Sequence, residues 1–222
     1  MKKINILAIL TLLVSCSSTG LDYNRIAPGY SQAFNAIKAA LFGNDINNIS
    51  NEVIDEIPYA SMLVKIGKGP YGLMILQSIE GDRSTWVSGD GVYLVLKKGK
   101  IIKTAGLINN LTDLQANHLF NSDKYPSSVS GDTLKYYYSF DSPVLIDLEV
   151  EATYEKKEIK NENLVNRSLD LSILEETIHS KQINWKATNK YWTDQENFIW
   201  KSEQQISPKV PKIFIQITKK PS

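Results

Sequence analysis

Cysteine is nearly absent from this 222-residue chain: Cys16 stands alone, beside two histidines and three methionines. A single thiol leaves no internal disulfide and no cysteine cage for zinc. His118 and His179 lack metal-ligand spacing, so no metal and no cofactor is expected. No Gly-x-Ser-x-Gly elbow occurs, which removes the usual signature of a serine hydrolase. Excess charge is missing as well, with 25 Lys and Arg against 24 Asp and Glu. A nucleic-acid binder needs a basic excess or stripe, so no nucleic-acid partner is expected. Neither internal repeats nor low-complexity blocks are present.

What the chain does have begins at its start. Lys2 and Lys3 precede an apolar run over residues 4–14, broken only by Asn5 and Thr11. Eleven helical residues span about 16 Å, against roughly 30 Å of bilayer hydrocarbon. The run therefore reads as an export signal rather than a retained membrane helix. It ends at Leu13-Val14-Ser15-Cys16, which resembles the bacterial lipobox. That signal implies a diacylglycerol on the Cys16 thiol, cleavage before Cys16 and acylation of the new amine. A thiolate nucleophile is what the chemistry requires. Several acyl chains at about 0.8 kcal/mol per buried methylene make a stable membrane anchor. By resemblance to Gram-negative lipoproteins, Ser17 in place of Asp points to the outer membrane, with the body facing the periplasm.

Cleavage leaves a mature chain of 207 residues carrying 23 basic against 24 acidic side chains. With 42% hydrophobic residues it is able to build a full core. The expected divisions are a signal over 1–15, a polar lipidated tether over 16–28 and one β-rich domain over 29–222. Apolar spacing predicts helices over 31–43 and 50–57. From residue 60 the period shifts to two. Strands are predicted over 62–66, 71–79, 85–88, 92–96 and 100–104, linked by Gly-rich turns. Thr112 to Gln115 reads as a capping box on a short helix. Further strands follow over 134–140, 144–154, 168–178, 182–188, 197–206 and 212–218. The fold class is mainly β: a large antiparallel curved sheet, barrel-like or sandwich, with one or two short N-terminal helices.

No catalytic constellation is visible. Glu175 and Glu176 resemble a glycosidase pair only on paper. Neighbours in a strand point to opposite faces, and both read as solvated charge. Trp86 and Asp90, in WVSGDG, combine an aromatic face with a carboxylate, as a sugar site does. Turn and sheet packing explains the same residues more simply. In 134–140, Leu134, Tyr136, Tyr138 and Phe140 share one face, which leaves Tyr137 exposed for a glycan or partner.

Three stretches carry a family resemblance: IPYASMLVKIGKGP at 57–70, WVSGDGVYLVL at 86–96 with GKIIKTAGL at 99–107, and WKSEQQISP at 200–208 running into PKIFI. With the lipobox, they resemble the group 4 capsule polysaccharide lipoprotein family, the YjbF-type lipoproteins. The resemblance implies an outer-membrane lipoprotein working with polysaccharide-export proteins, including a β-barrel protein. It supplies no catalytic residue. The expected function is non-enzymatic: assistance to capsule or exopolysaccharide secretion by docking the export machinery. The alternatives are a glycan-binding module, a carbohydrate-modifying enzyme, and an envelope lipoprotein with no polysaccharide link.

Overall fold

The computed structural model describes residues 51–116, 133–165 and 167–221. Cys16, the signal, the tether, the helix predicted over 31–43 and His118 lie outside the described residues. After a short helix, α1 (Asn51–Asp55), come twelve strands: β1 (Ser61–Ile66), β2 (Tyr71–Glu80), β3 (Arg83–Ser88), β4 (Tyr93–Lys97), β5 (Lys100–Ala105), β6 (Leu111–Ala116), β7 (Thr133–Asp141), β8 (Val144–Leu164), β9 (Arg167–Ser180), β10 (Trp185–Thr193), β11 (Ile199–Gln204) and β12 (Ile213–Lys219). All pair antiparallel in one sheet, ordered β5-β4-β3-β2-β1-β12-β11-β10-β9-β8-β7-β6.

The two ends of that sheet are consecutive in the chain, and they come together. No ladder joins β5 to β6 among the described residues; side chains tie the seam instead. Leu111 N–H donates to Thr104 Oγ1 at 3.0 Å, and Leu107 N–H donates to Asn110 Oδ1 at 2.9 Å. The result is a nearly closed barrel. A round barrel of twelve strands leaves a lumen wider than one wall's side chains can fill. This one is flattened. β5 and β11 stand six places apart in the ring, on opposite walls. Even so, Gln204 of β11 accepts from Ile101 N–H at 2.9 Å and donates to Gly99 O at 2.8 Å.

Alternation fixes which side chains fill the interior. Leu134, Tyr136, Tyr138 and Phe140 of β7 all point inward and are buried, as their spacing predicts. β1 is covered on both faces. Met62 and Val64 join the main core, while Leu63 packs with Leu73 and Ile75 under Ile54 and Ile57.

Two readings of the sequence change. Thr112 to Gln115 lies in β6, not on a helix. A bulge between Leu111 and Asp113 keeps Leu111 and Leu114 both inward, so a strand carries helix-like spacing of three. β8 continues ten residues past Tyr154, to Leu164. Its charged extension pairs with β9 and returns to the body. Glu162 accepts from Trp192 Nε1 and Lys201 Nζ, each at 3.1 Å, and the Arg167 guanidinium stacks 4.8 Å from the Trp200 ring.

Lys98 and Gly99 turn β4 into β5 with positive φ at both, 47° and 78°. A Cβ on Gly99 would lie 2.6 Å from Ile199 Cδ1. Gly99→Ala is expected to lose at least about 1–2 kcal/mol, from left-handed strain before the clash is counted. Chemical denaturation measures this; a midpoint equal to the parent's would contradict the close approach of β5 to β11.

Candidate functional site

The densest polar centre lies inside the barrel. Glu176, 0% exposed, points inward from β9. Its Oε1 faces the Lys100 ammonium from β5 and accepts from Tyr154 Oη at 2.5 Å. Its Oε2 accepts from Asn189 Nδ2 at 2.9 Å and Tyr191 Oη at 2.8 Å. Two carboxylate oxygens offer about four acceptor sites, so the group is saturated. Tyr154 uses its proton on Glu176 and takes one from Tyr136 Oη at 2.5 Å. The Tyr136 ring lies 4.7 Å beneath the Lys100 ammonium, a cation–π contact. Asn189 Oδ1 accepts from Gln205 N–H at 2.8 Å.

Each member arrives by strand alternation. Glu176 occupies the same face as Leu174 and Ile178, Tyr154 follows Val150 and Ala152, and Asn189 sits between Ala187 and Tyr191. Burial draws the Lys100 pKa down, and Glu176 opposes this without reversing it. On Glu176 burial pushes up. The Lys100 charge and the hydrogen bonds from Lys100, Tyr154 and Asn189 outweigh it, holding the carboxyl below the ordinary glutamate range. Burial and then the Glu176 charge push Tyr154 and Tyr191 well up, so both remain donors. The centre is a charged pair closed off from water with its hydrogen-bonding capacity filled.

This corrects the reading of Glu175 and Glu176 as two solvated charges. The opposite-face geometry stands, but only Glu175 is outside, with Lys190 at 3.0 Å. Glu176 is buried because its parity belongs to the apolar face. Among the sequence candidates, Trp86 is 1% exposed and donates its indole N–H to Ser84 Oγ at 2.9 Å, so its ring faces are in the core. Asp90 is exposed on the β3–β4 turn, against the Ser88 hydroxyl that also accepts from Val92 N–H at 3.1 Å. Tyr137 is half-buried on the outer face, between Gln115 of β6 and Glu149 of β8. These three are not brought together by any hydrogen bond or strand pairing among the described residues. Among the described residues, no group of three His, Cys, Asp or Glu gathers as a metal site.

A separate cleft of about 120 Å³ lies between β3–β4 and β11–β12, lined by Trp86, Leu96, Phe198, Trp200 and Ile215. Its indoles are already committed: Trp86 to Ser84, and Trp200 to Asp194 Oδ2 at 2.8 Å.

Lys100→Met leaves Glu176 hydrogen-bonded but without a counter-charge, and is expected to cost about 3–5 kcal/mol in denaturant unfolding. Adding Glu176→Gln should regain most of that; independent, additive losses would contradict a coupled pair. The sign of the pH effect follows from the lowered Glu176 pKa. Its contribution is present above the ordinary value of 4.5 and is lost as pH falls through the folded value. On acidification below about pH 4.5, Glu176→Gln should therefore lose less stability than the parent, as followed by circular dichroism.

Residues 34–218 match the family model described as group 4 capsule polysaccharide lipoprotein, GfcB and YjbF. The chain is 24% identical over 164 residues to the uncharacterized lipoprotein GfcB of Escherichia coli K12, covering 71% of this chain and 74% of that one. It is 23% identical over 209 residues to the uncharacterized lipoprotein YjbF of the same strain, covering 93% and 92%. The crystal structure of the hypothetical lipoprotein YmcC from Escherichia coli K12 has a similar fold, with a TM-score of 0.66 at 22% identity over 85% of this chain and 96% of that one. With its model matched over most of the sequence, the chain belongs to the group 4 capsule polysaccharide lipoprotein family.

Proposed function

We propose that this lipoprotein is anchored in the outer membrane through Cys16, faces the periplasm and assists capsule or exopolysaccharide secretion without catalysis, by docking a component of the export machinery. Family membership over residues 34–218 is the observation that carries the polysaccharide link. The non-catalytic part is supported by the interior. Among the described residues, the one buried carboxylate with an ammonium partner, Glu176, has all its acceptor sites filled and is 0% exposed. A general acid or base must reach the proton it transfers, directly or through one water. The export partner is an outer-membrane β-barrel or a periplasmic protein of the same system.

A second reading, a module that holds nascent polymer, has the aromatic lining of the β3–β11 cleft in its favour. Its indole donors are already committed, which leaves the cleft little polarity to offer a sugar ring.

Metabolic acyl labelling tests the anchor: Cys16→Ser is expected to abolish the label and release the chain from membranes. A crosslinked affinity pull-down of the lipidated protein from envelopes tests docking. Recovery of an export protein that a control lipoprotein does not bring down is the expected outcome. Polymer recovered without any protein partner would overturn docking in favour of glycan holding.

A further inference from the structure

Six large aliphatic side chains are exposed among the described residues, and three stand at one corner of the barrel: Ile108 at 82%, Val144 at 70% and Ile146 at 76%. They lie on two segments bolted together. Asn109 Nδ2 donates to Ser142 O at 2.7 Å, Asn110 N–H to Asp141 Oδ1 at 2.8 Å, and Asn110 Nδ2 to Asp141 Oδ2 at 2.7 Å. The Ser207 hydroxyl holds Asn109 from behind. The corner is thus a fixed shape whose apolar surface is displayed at a cost. In β8 the inward alternation breaks at Asp147, where φ is +54° and the N–H donates to Ser139 Oγ at 3.1 Å. Leu145 packs against the core while Val144 and Ile146 stay in solvent.

Acidic groups surround the corner. Asp141 pairs in register with Val144, Asp147 follows Ile146, and Asp113 stands opposite Ser139 on the neighbouring strand. All three are exposed. Hydrogen bonds from Asn110 hold the Asp141 carboxyl below the ordinary range, so its charge persists. Glu149 is met by Lys135 at 2.8 Å, and Lys103 lies across the seam on β5. Three exposed aspartates beside the aliphatics, Asp141 held in place by Asn110, repel an anionic lipid surface and suit a protein surface of opposite sign.

Building on the docking reading, we propose that Ile108, Val144 and Ile146 form its contact face, for a protein partner whose own apolar patch is flanked by Lys and Arg. An apolar centre keeps water out of an interface, and the charged rim sets orientation and choice.

The test places p-benzoylphenylalanine at Ile146 in the full lipidated chain, irradiates intact envelopes and identifies the crosslinked peptide by mass spectrometry. The same probe at Ile79, exposed on β2, is the control. The expected result is a crosslink at Ile146, not at Ile79, to a peptide of another protein carrying aliphatic residues beside Lys or Arg. Asp113→Lys with Asp147→Lys should cut the yield roughly tenfold. Both sites are exposed, and an unchanged melting temperature excludes misfolding as the cause. A crosslink indifferent to charge reversal, or one into phospholipid, this chain's own N-terminal residues or a second copy, overturns the proposal. The affinity pull-down of the same variants separates the two levels. An export protein recovered with no crosslink at Ile146 leaves docking standing and removes this face; no export protein removes docking itself.

Discussion

A buried carboxylate must have its charge met or the fold will not hold it. In this protein that demand organises the interior. Glu176 draws in Lys100 from β5, Tyr154 from β8, and Asn189 and Tyr191 from β10, and through Tyr154 it reaches Tyr136 on β7. Four strands in addition to its own would each leave a polar group stranded if the centre opened. Hydrophobic burial supplies the bulk of folding free energy but is non-directional and tolerates alternatives. A saturated ion pair tolerates few. We attribute to it the choice of one strand arrangement among the many a twelve-stranded sheet allows.

The flattening follows from the same contacts. β5 ends the sheet, and an end strand exposes backbone groups that call for partners. The usual solution, a ladder to the other end, is replaced here by side chains. Gln204 reaches across to Gly99 O and Ile101 N–H, and Thr104 receives Leu111 N–H. Gly99 makes the approach feasible, since its missing Cβ leaves room for Ile199. The wall-to-wall contact fills what would otherwise be a wide lumen.

The period-two stretches made most strands legible in sequence. Residues 85–88 and 134–140 each lie inside an observed strand with one face more buried than the other, while 62–66 and 71–79 stand out as short apolar runs because both faces of β1 and part of β2 are covered. What defeated the pattern were bulges and length. At Leu111 to Asp113 one extra residue turned strand spacing into helix spacing. The far half of β8, Lys156 to Asn163, is exposed and charged, so no apolar rhythm marks it. The polar centre was partly legible. Glu176 falls on the Leu174 and Ile178 parity, and a lone carboxylate on an apolar face is a signal in itself. Its partner was not: Lys100 lies 76 residues away, and only the folded ring brings the two together. The Asp141 to Asn110 clamp, 31 residues apart, was hidden for the same reason.

Closure of the barrel by side chains rather than by a ladder is the claim on which the sealed interior rests. Amide hydrogen exchange at Ile101 tests it most directly. Its N–H lies on the open side of an end strand and has Gln204 Oε1 as its acceptor. The account predicts protection approaching that of Leu63 and Val64 in central β1, since opening Ile101 means parting two walls. Exchange at the rate of a frayed edge would show that β5 does not stay docked on β11. The barrel would then be open at the seam, and the charged centre within reach of water.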